Sequence, residues 1–242
     1  MKKFNSVLIT GGTKRIGKSI VKFLASAGLN IAIQYNNSSK EAKRLELEFK
    51  NYKKKFATFQ FDFENSKNIE KFYKTIQKEF GNIDLLINNA SAFDFDTIKT
   101  STNQTFDKHI NINLKAPFFL SKLFTLNLKR KNGMIINILD QRVKNITPYF
   151  TSYTISKSAL NTLTKSLALS LAPNIRVNGI SPGPTLKSKN QTALQFKHQI
   201  LNTPLKKQVN LDEINNAIEY LINNDSITGE ILTIDSGQSL GW

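Results

Sequence analysis

Short apolar runs alternate with longer segments of helical periodicity along the whole 242-residue chain. The runs lie at residues 7–9, 31–33, 57–61, 85–87, 134–138, 175–177 and 231–234. Apolar strands separated by helices are typical of a parallel sheet covered on both faces, and right-handed crossovers wind such a sheet doubly. The pattern therefore predicts an α/β fold, a single-domain Rossmann-like doubly wound parallel sheet of about seven strands with helices on both faces.

The composition favours one domain over residues 1–242, because 40% of the residues are hydrophobic and no linker or internal repeat interrupts the alternation. The chain has no cysteine, and none of its apolar runs is long enough to cross a bilayer. We therefore expect a soluble, cytoplasmic protein with no membrane partner.

The net charge of +16 comes almost entirely from lysine, which is scattered among asparagines. Arginine, the preferred reader of phosphates and guanines, is sparse, so we expect no nucleic-acid partner. A compositional bias and a functional basic surface both remain open as explanations. The dense run at residues 53–55 is expected at the end of a helix, where cations suit the helix dipole.

A glycine-rich turn directly follows the first predicted strand and opens a helix, with residues 10–17 reading TGGTKRIG. Such a turn lets the backbone approach a pyrophosphate, whose charge the helix N-terminus stabilises. Residues 34–39, about 20 positions further on, contain no carboxylate to hold the ribose hydroxyls of NAD. Hydroxyl and amide groups there, together with Lys14 and Arg15, favour the ribose phosphate of NADPH.

Tyr153 and Lys157 lie four residues apart in a helical pattern that continues through Leu171. They therefore share a helix face, and the ammonium is expected to lower the pKa of the phenol toward a value suited to proton exchange. A pair at this spacing often marks only an exposed helix face. Tyr153 is, however, the one tyrosine with a lysine four residues on, and it follows the fifth predicted strand.

These features resemble the short-chain dehydrogenase/reductase family of the classical type over nearly the whole chain. The glycine turn is similar to the family's TGxxxGxG signature, residues 88–90 to its Asn-Asn-Ala run, and Tyr153 with Lys157 to its catalytic pair. The resemblance implies a tetrameric or dimeric homo-oligomer that acts on a small-molecule substrate.

Three departures from the family pattern are informative. Arg15 replaces the middle glycine, Ser91 replaces the glycine after the Asn-Asn-Ala run, and Asp140 stands where the family has serine. Together they resemble the pteridine reductase and dihydromonapterin reductase branch. A carboxyl group differs chemically from serine because it can carry a proton to a ring nitrogen.

The resemblance implies three sets of site residues. The expected catalytic residues are Tyr153, Lys157, Asp140 and Asn113. The expected cofactor contacts are Gly11, Thr13, Lys14, Arg15, Ile16, Gly17, Tyr35, Asn36, Asn37, Ser38, Asp62, Asn89, Ala90, Ser91, Lys157, Pro182 and Gly183. The expected substrate contacts are Ser91, Phe93, Asp140 and Tyr153, with the Phe93 ring stacked on a pterin.

The implied function is transfer of hydride from NADPH to a C=N bond of a reduced pterin, such as a dihydropterin, dihydromonapterin or dihydrofolate. Tyr153, Lys157 and Asp140 would deliver the proton. One alternative is a short-chain carbonyl or 3-oxoacyl-thioester reductase, and another, of a different class, is a non-catalytic NADP(H)-sensing interaction protein.

Residues 181–203 are the least regular stretch, and their place after a late strand favours a substrate-covering loop over a plain surface insertion. His109 and His198 lack metal-ligand partners at suitable spacing, so structural or surface roles and no metal are expected. Trp242 is expected to be a surface tail or, alternatively, to reach a neighbouring subunit.

Overall fold

The structure, a computed structural model, describes residues 3–129 and 132–241, so Trp242 lies outside the described residues. Seven parallel strands form one sheet in the order β3-β2-β1-β4-β5-β6-β7. Their bounds are β1 Ser6–Thr10, β2 Asn30–Tyr35, β3 Phe56–Gln60, β4 Leu85–Asn88, β5 Gly133–Ile138, β6 Ile175–Pro182 and β7 Ile231–Ile234. The predicted fold class is confirmed.

Eight α-helices connect and cover the strands of the described chain. They are α1 Arg15–Ser26, α2 Ser39–Glu48, α3 Ile69–Glu79, α4 Asn103–Ile110, α5 Ala116–Asn127, α6 Thr151–Leu171, α7 Ala193–Leu201 and α8 Leu211–Asn223. A π-helical turn, Asn111–Lys115, joins α4 to α5, and a short 3₁₀ turn, Gln141–Val143, follows β5.

Two apolar cores lie on opposite faces of the sheet, because successive side chains of a strand point to opposite faces. Val7 and Ile9 pack in one core with residues of α1 and α8, whereas Leu8 packs in the other with residues of α3 and α5. Both faces being covered explains why the strands read as continuous apolar runs.

The strand order reverses between β1 and β4, where Ile9 of β1 pairs with Ile33 of β2 on one side and Ile87 of β4 on the other. The crossovers from these two strands leave in opposite directions, so a crevice opens at their carboxyl ends. The loops after β1, β4, β5 and β6 all reach this edge of the sheet.

Two sequence predictions about individual elements are wrong. Helix α2 ends at Glu48, so the lysines at 53–55 do not end it; Lys55 instead donates to the carbonyls of Glu79 and Phe80 at the end of α3. The stretch 181–203 is not one loop, because β6 continues to Pro182 and residues 193–201 form α7. Within 3–129 and 132–241, no helix combines the length and hydropathy needed to span a membrane.

Candidate active site

A cavity of about 950 Å³ occupies the crevice at the carboxyl edge of the sheet. The loops after β1, β4 and β5 line its floor, and the segment after β6 with α7 lines its outer side. Sixteen of the predicted site residues line it. Thirteen of them are Gly11, Lys14, Arg15, Ile16, Gly17, Asn36, Asp62, Asn89, Ala90, Ser91, Phe93, Asp140 and Tyr153. Lys157, Pro182 and Gly183 complete the predicted lining.

The glycine turn leaves room for a dinucleotide at the start of α1. Gly11 has a φ of +62°, which favours glycine, and a Cβ at Gly17 would lie 2.2 Å from the Gly11 carbonyl oxygen. The amide of Asn89 holds the turn from below by donating to the carbonyls of Thr10 and Gly11. The resulting cradle of backbone at a helix N-terminus fits a pyrophosphate.

Gln34 also supports the glycine turn and was missed by sequence reasoning. Its side chain accepts a hydrogen bond from the Gly11 amide at 2.9 Å and donates to the Phe61 carbonyl at 2.6 Å. A buried glutamine within an otherwise apolar strand is the sequence signal that could have revealed this role.

The residues around the end of β2 do not all face the cavity. Asn36 lines it, whereas Tyr35, Asn37, Thr13 and Ser38 are outside its lining. The hydroxyls of Thr13 and Ser38 are instead buried together, 2.5 Å apart. Their contact joins the glycine turn to the start of α2.

The two cations expected at a ribose phosphate are engaged elsewhere. The Arg15 guanidinium donates to the carbonyls of Leu186 at 3.0 Å and Lys187 at 2.8 Å, in the segment after β6. Lys14 forms an ion pair of 3.1 Å with Glu41 of α2. Arg15 thereby connects the glycine turn to the segment after β6, which lines the cavity.

Tyr153 and Asp140 meet inside the cavity. The Tyr153 hydroxyl donates to Oδ2 of Asp140 at 2.8 Å, and Oδ1 of Asp140 accepts from the Arg142 amide at 2.9 Å. Lys157 Nζ donates to the carbonyl oxygen of Ile138, the last residue of β5, at 2.7 Å. Both Tyr153 and Lys157 are buried.

The electrostatics of this cluster favour bound protons on its acids. Burial raises the pKa of the Asp140 carboxyl, and burial together with the Asp140 charge raises the pKa of Tyr153 well above its usual value. A hydrogen bond with Ser91 acts in the opposite direction on the Tyr153 pKa. Burial lowers the pKa of Lys157 to about 8.

In this structure the pKa of Tyr153 is raised instead of lowered, because burial and Asp140 dominate over nearby cations. The ammonium is bonded to the Ile138 carbonyl, and the nearest partner of the phenol is the Asp140 carboxyl. A phenol that donates to a carboxyl group is held in its neutral form. The phenol therefore rests in its protonated form at neutral pH, which is the form that a proton donor needs.

Asn113 lies in the π-helical turn and is completely buried, outside the lining of the cavity. Its amide accepts from the Ala92 N–H at 2.8 Å and donates to the Ala92 carbonyl at 3.0 Å and to Ser156 at 2.9 Å. It therefore fastens the loop after β4 to α6.

An aromatic wall, formed by Phe93 and Phe150, stands beside the Tyr153 hydroxyl. The two phenyl rings stack with centroids 4.5 Å apart and planes 6° apart, and Phe93 meets the Tyr153 ring edge to face at 4.6 Å. The Arg142 guanidinium lies over Phe150, 4.8 Å from its centroid. Flat aromatic faces of this kind bind planar heterocycles.

The fold and this cluster define an oxidoreductase whose crevice accepts a dinucleotide. A family model described as short chain dehydrogenase matches residues 5–198, and the chain accordingly belongs to that family.

Three similar proteins illustrate the breadth of the family. The FolM alternative dihydrofolate reductase 1 of Brucella canis, whose structure holds NADP, is 38% identical with a TM-score of 0.94, over 98% of this chain and 95% of that one. The dihydromonapterin reductase of Enterobacter sp. (strain 638) is 28% identical over 97% of this chain and 96% of its own length. The 3-oxoacyl-[acyl-carrier-protein] reductase of Buchnera aphidicola is 31% identical over 95% of each chain. The predicted family and the predicted resemblance to its pteridine branch are confirmed, and the expected cofactor agrees with the first structure.

Proposed function

We propose that this oxidoreductase uses NADPH to reduce a C=N bond of a reduced pterin. The observation that carries the proposal is the hydrogen bond of 2.8 Å between the Tyr153 hydroxyl and the Asp140 carboxyl beside the Phe93 ring. The relatives named for dihydrofolate and dihydromonapterin reduction support the same substrate class.

Residues of the crevice would hold the cofactor, which supplies a hydride when bound. The backbone cradle at Gly11 and Gly17 suits its pyrophosphate, and Asn36 offers an amide to the ribose phosphate. Asp62, at the far end of the lining, suits the adenine amino group as an acceptor. A solved relative that holds NADP supports this assignment.

Reduction of a C=N bond adds a hydride to carbon and a proton to nitrogen. Tyr153 and Asp140 lie beside the aromatic wall, and the raised pKa of each favours its protonated form. After Tyr153 gives its proton to the substrate nitrogen, the hydrogen-bonded Asp140 is placed to replace it. Lys157 faces the pair as a cation that stabilises the anion left behind.

A second candidate is reduction of a 3-oxoacyl thioester, because relatives that bear this name are up to 31% identical to the chain. Asp140 opposes it. Carbonyl reduction in enzymes of this kind normally uses a serine hydroxyl at this position to polarise the carbonyl oxygen, and Asp140 replaces that hydroxyl.

The deciding measurement is NADPH oxidation by the purified protein with a 7,8-dihydropterin, beside a 3-oxoacyl thioester. We expect turnover of the dihydropterin alone. Tyr153→Phe should lower kcat by roughly a hundredfold or more, the usual scale of general acid catalysis, while NADPH binding persists. Asp140→Ser should lower dihydropterin turnover and raise turnover of the thioester.

Each contrary outcome has its own meaning. Thioester turnover by the wild type, unchanged in Asp140→Ser, would replace the proposal with the second candidate. If NADPH binds but neither substrate reacts, the non-catalytic NADP(H)-sensing protein becomes the better explanation.

We also propose that the chain acts as one domain, in the cytoplasm, as a homo-oligomer assembled through α5 and α6. Both helices expose large apolar side chains, among them Leu126 on α5 and Leu169 on α6. Sedimentation of the wild type and of Leu169→Lys tests the assembly, and fractionation of cells that express the protein tests its location.

A further inference from the structure

Behind the aromatic wall lies a buried histidine that the proposed chemistry does not use. His109, on α4, is fully buried. Its Nε2 accepts a hydrogen bond from the backbone N–H of Asp94 at 3.0 Å, and its Nδ1 lies 2.7 Å from the hydroxyl of Ser152. The ring thus touches two chain segments, each of which carries a residue of the site.

The proton positions along these bonds are determined by chemistry. The backbone N–H of Asp94 can only donate, so Nε2 of His109 carries no proton. Burial lowers the pKa of His109, which keeps the ring neutral at neutral pH and leaves its single proton on Nδ1. Nδ1–H then donates to the Ser152 oxygen, and the Ser152 hydroxyl donates onward through a short hydrogen bond to the carboxyl of Asp96. Because each hydrogen bond in this chain can run in only one direction, the bonds together hold the three side chains in fixed positions.

The same residues determine where the wall and the phenol lie. The Asp96 carbonyl accepts from the N–H of Phe150 at 2.7 Å, and the Asp96 carboxyl also accepts from the N–H of Ser152 at 3.3 Å. Phe150 has a φ of +58°, a costly conformation for a bulky residue that persists only when its surroundings hold it. Tyr153 follows directly after Ser152. We call His109, Ser152 and Asp96 the histidine clasp.

We propose that the histidine clasp holds the Phe93 wall in register with the Tyr153 hydroxyl, and that His109 is its positioning residue. The Asp94 bond fixes the segment that follows Phe93, and the Ser152 bond fixes the start of α6. Asp96 joins the same two segments through Phe150 and Ser152, and His109 adds the anchor beside Phe93 through the Asp94 N–H. The kinetic part of the inference rests on the proposed function, since it concerns alignment of a flat substrate with the proton donor.

Two substitutions of His109 test its two hydrogen bonds, to Asp94 and to Ser152, one at a time. In His109→Asn the amide nitrogen lies near the former Nδ1, so the bond to Ser152 is kept and the acceptor for the Asp94 N–H is lost. In His109→Gln the amide oxygen lies near the former Nε2, so the acceptor is kept and the bond to Ser152 is lost.

The two variants should show opposite kinetic effects. We expect His109→Asn to raise KM for the dihydropterin about tenfold with kcat unchanged, because the wall that binds the substrate loosens. We expect His109→Gln to lower kcat about tenfold with KM unchanged, because the phenol loses its alignment. Ser152→Ala removes the bond from His109 Nδ1 together with the onward bond to Asp96, keeps the Asp94 bond, should lower kcat as His109→Gln does, and serves if His109 variants fold poorly.

A matched control is His198→Asn, the same substitution at an exposed histidine on α7, which should change neither constant. The proposal is overturned if both His109 variants lower kcat and raise KM by equal factors, or if neither variant changes either constant.

A second measurement does not depend on turnover. Nitrogen NMR of the free wild-type protein at pH 7.5 should find His109 neutral, with its proton on Nδ1 and a bond from the Asp94 amide to Nε2. A proton on Nε2 would overturn the clasp even if the dihydropterin reacts. If the dihydropterin does not react but the expected tautomer is found, the proposed function fails and the clasp stands as the anchor of the wall.

Discussion

At the scale of single residues, Lys157 combines a charge with almost complete burial. Its side chain is 2% exposed, and one of its three donors is matched by the Ile138 carbonyl. Burial lowers its pKa from 10.5 to about 8, with attraction to Asp140 acting in the opposite direction. A site that requires this cation therefore costs the fold stability at neutral pH.

Replacing the cation should make the protein more stable. The folded pKa of about 8 lies below the unfolded 10.5, so the unfolded chain binds more protons between these values and stability rises with pH across that window. Below pH 8 the full cost of burying the charged ammonium applies, and the shift in the Lys157 pKa corresponds to about 3 kcal/mol of unfolding free energy. Lys157→Met should raise the free energy of unfolding at pH 7 by up to that amount, and its advantage should vanish by about pH 10.5.

Urea unfolding of the cofactor-free protein at several pH values measures this effect. Lys165→Met, an exposed lysine on the same helix, is the matched control and should show no such pH-dependent gain. A Lys157→Met variant less stable than the wild type at pH 7, with a gap that does not change with pH, would contradict the argument.

Local sequence rules account for some site residues and not for others. Tyr153 and Lys157 could be paired from the sequence because residues four apart share a helix face. The direction of the shift in the Tyr153 pKa could not be predicted, because it depends on burial and on which acceptor binds the Lys157 ammonium. The role of His109 was also out of reach, because its partners Ser152 and Asp94 lie 43 and 15 residues away in sequence. The position of Phe150 was out of reach because it depends on a left-handed backbone.

At the scale of elements, the glycine turn and the segment after β6 are joined by one side chain. Arg15 has a φ of +52°, which suits glycine, yet its guanidinium donates to the carbonyls of Leu186 and Lys187. The strained backbone aims the guanidinium across the mouth of the cavity. The covering segment is thereby held to the cofactor side of the crevice.

Arg15→Gly should free the covering segment without harming the turn. Glycine adopts the required φ without strain, so we expect thermal stability close to that of the wild type. Loss of both hydrogen bonds should speed cleavage after Lys187 and Lys189 by a lysine-specific protease about tenfold. Mass spectrometry of the first fragments locates the cuts.

Lys14→Ala is the control for that experiment, because the Lys14 ammonium pairs with Glu41 of α2. Faster cleavage in both variants, or in neither, would show that Arg15 does not restrain the segment.

The elements themselves were largely predictable, since all seven strands lie where the apolar runs placed them. Helix α7 was missed because it buries no residue and so has no apolar stripe. Its start is nonetheless encoded by a capping box between Thr192 and Gln195, a local signal independent of burial. The end of β6 was missed because Pro182 reads as a loop residue, although proline is tolerated at the end of a strand.

At the scale of the whole molecule, the surface carries both a large positive charge and exposed apolar side chains. The chain carries a net charge of +16, yet α5 and α6 expose apolar side chains between their lysines. Leu169 on α6 is 84% exposed. Exposed apolar side chains on neighbouring helices mark a surface that another chain can cover.

We expect the wild type to sediment at a multiple of 27.4 kDa, and Leu169→Lys to shift toward the monomer because a charge in a packed interface is costly. Leu47→Lys on α2, where the leucine is 72% exposed, is the matched control and should leave the assembly intact. A wild type that sediments as a monomer at micromolar concentration would remove α5 and α6 as an assembly surface.

The reversal of strand order between β1 and β4 separates the glycine turn from Asp140 and Tyr153 along the chain. The first half, through Ala90, builds the cradle for a dinucleotide, and the second half supplies Asp140, Tyr153 and the aromatic wall. Because the end of β2 belongs to the first half and Asp140 and Tyr153 to the second, drift at the end of β2 can change which nicotinamide coenzyme is accepted while the substrate chemistry stays constant. The fold thus lets coenzyme choice and substrate choice evolve as separate traits.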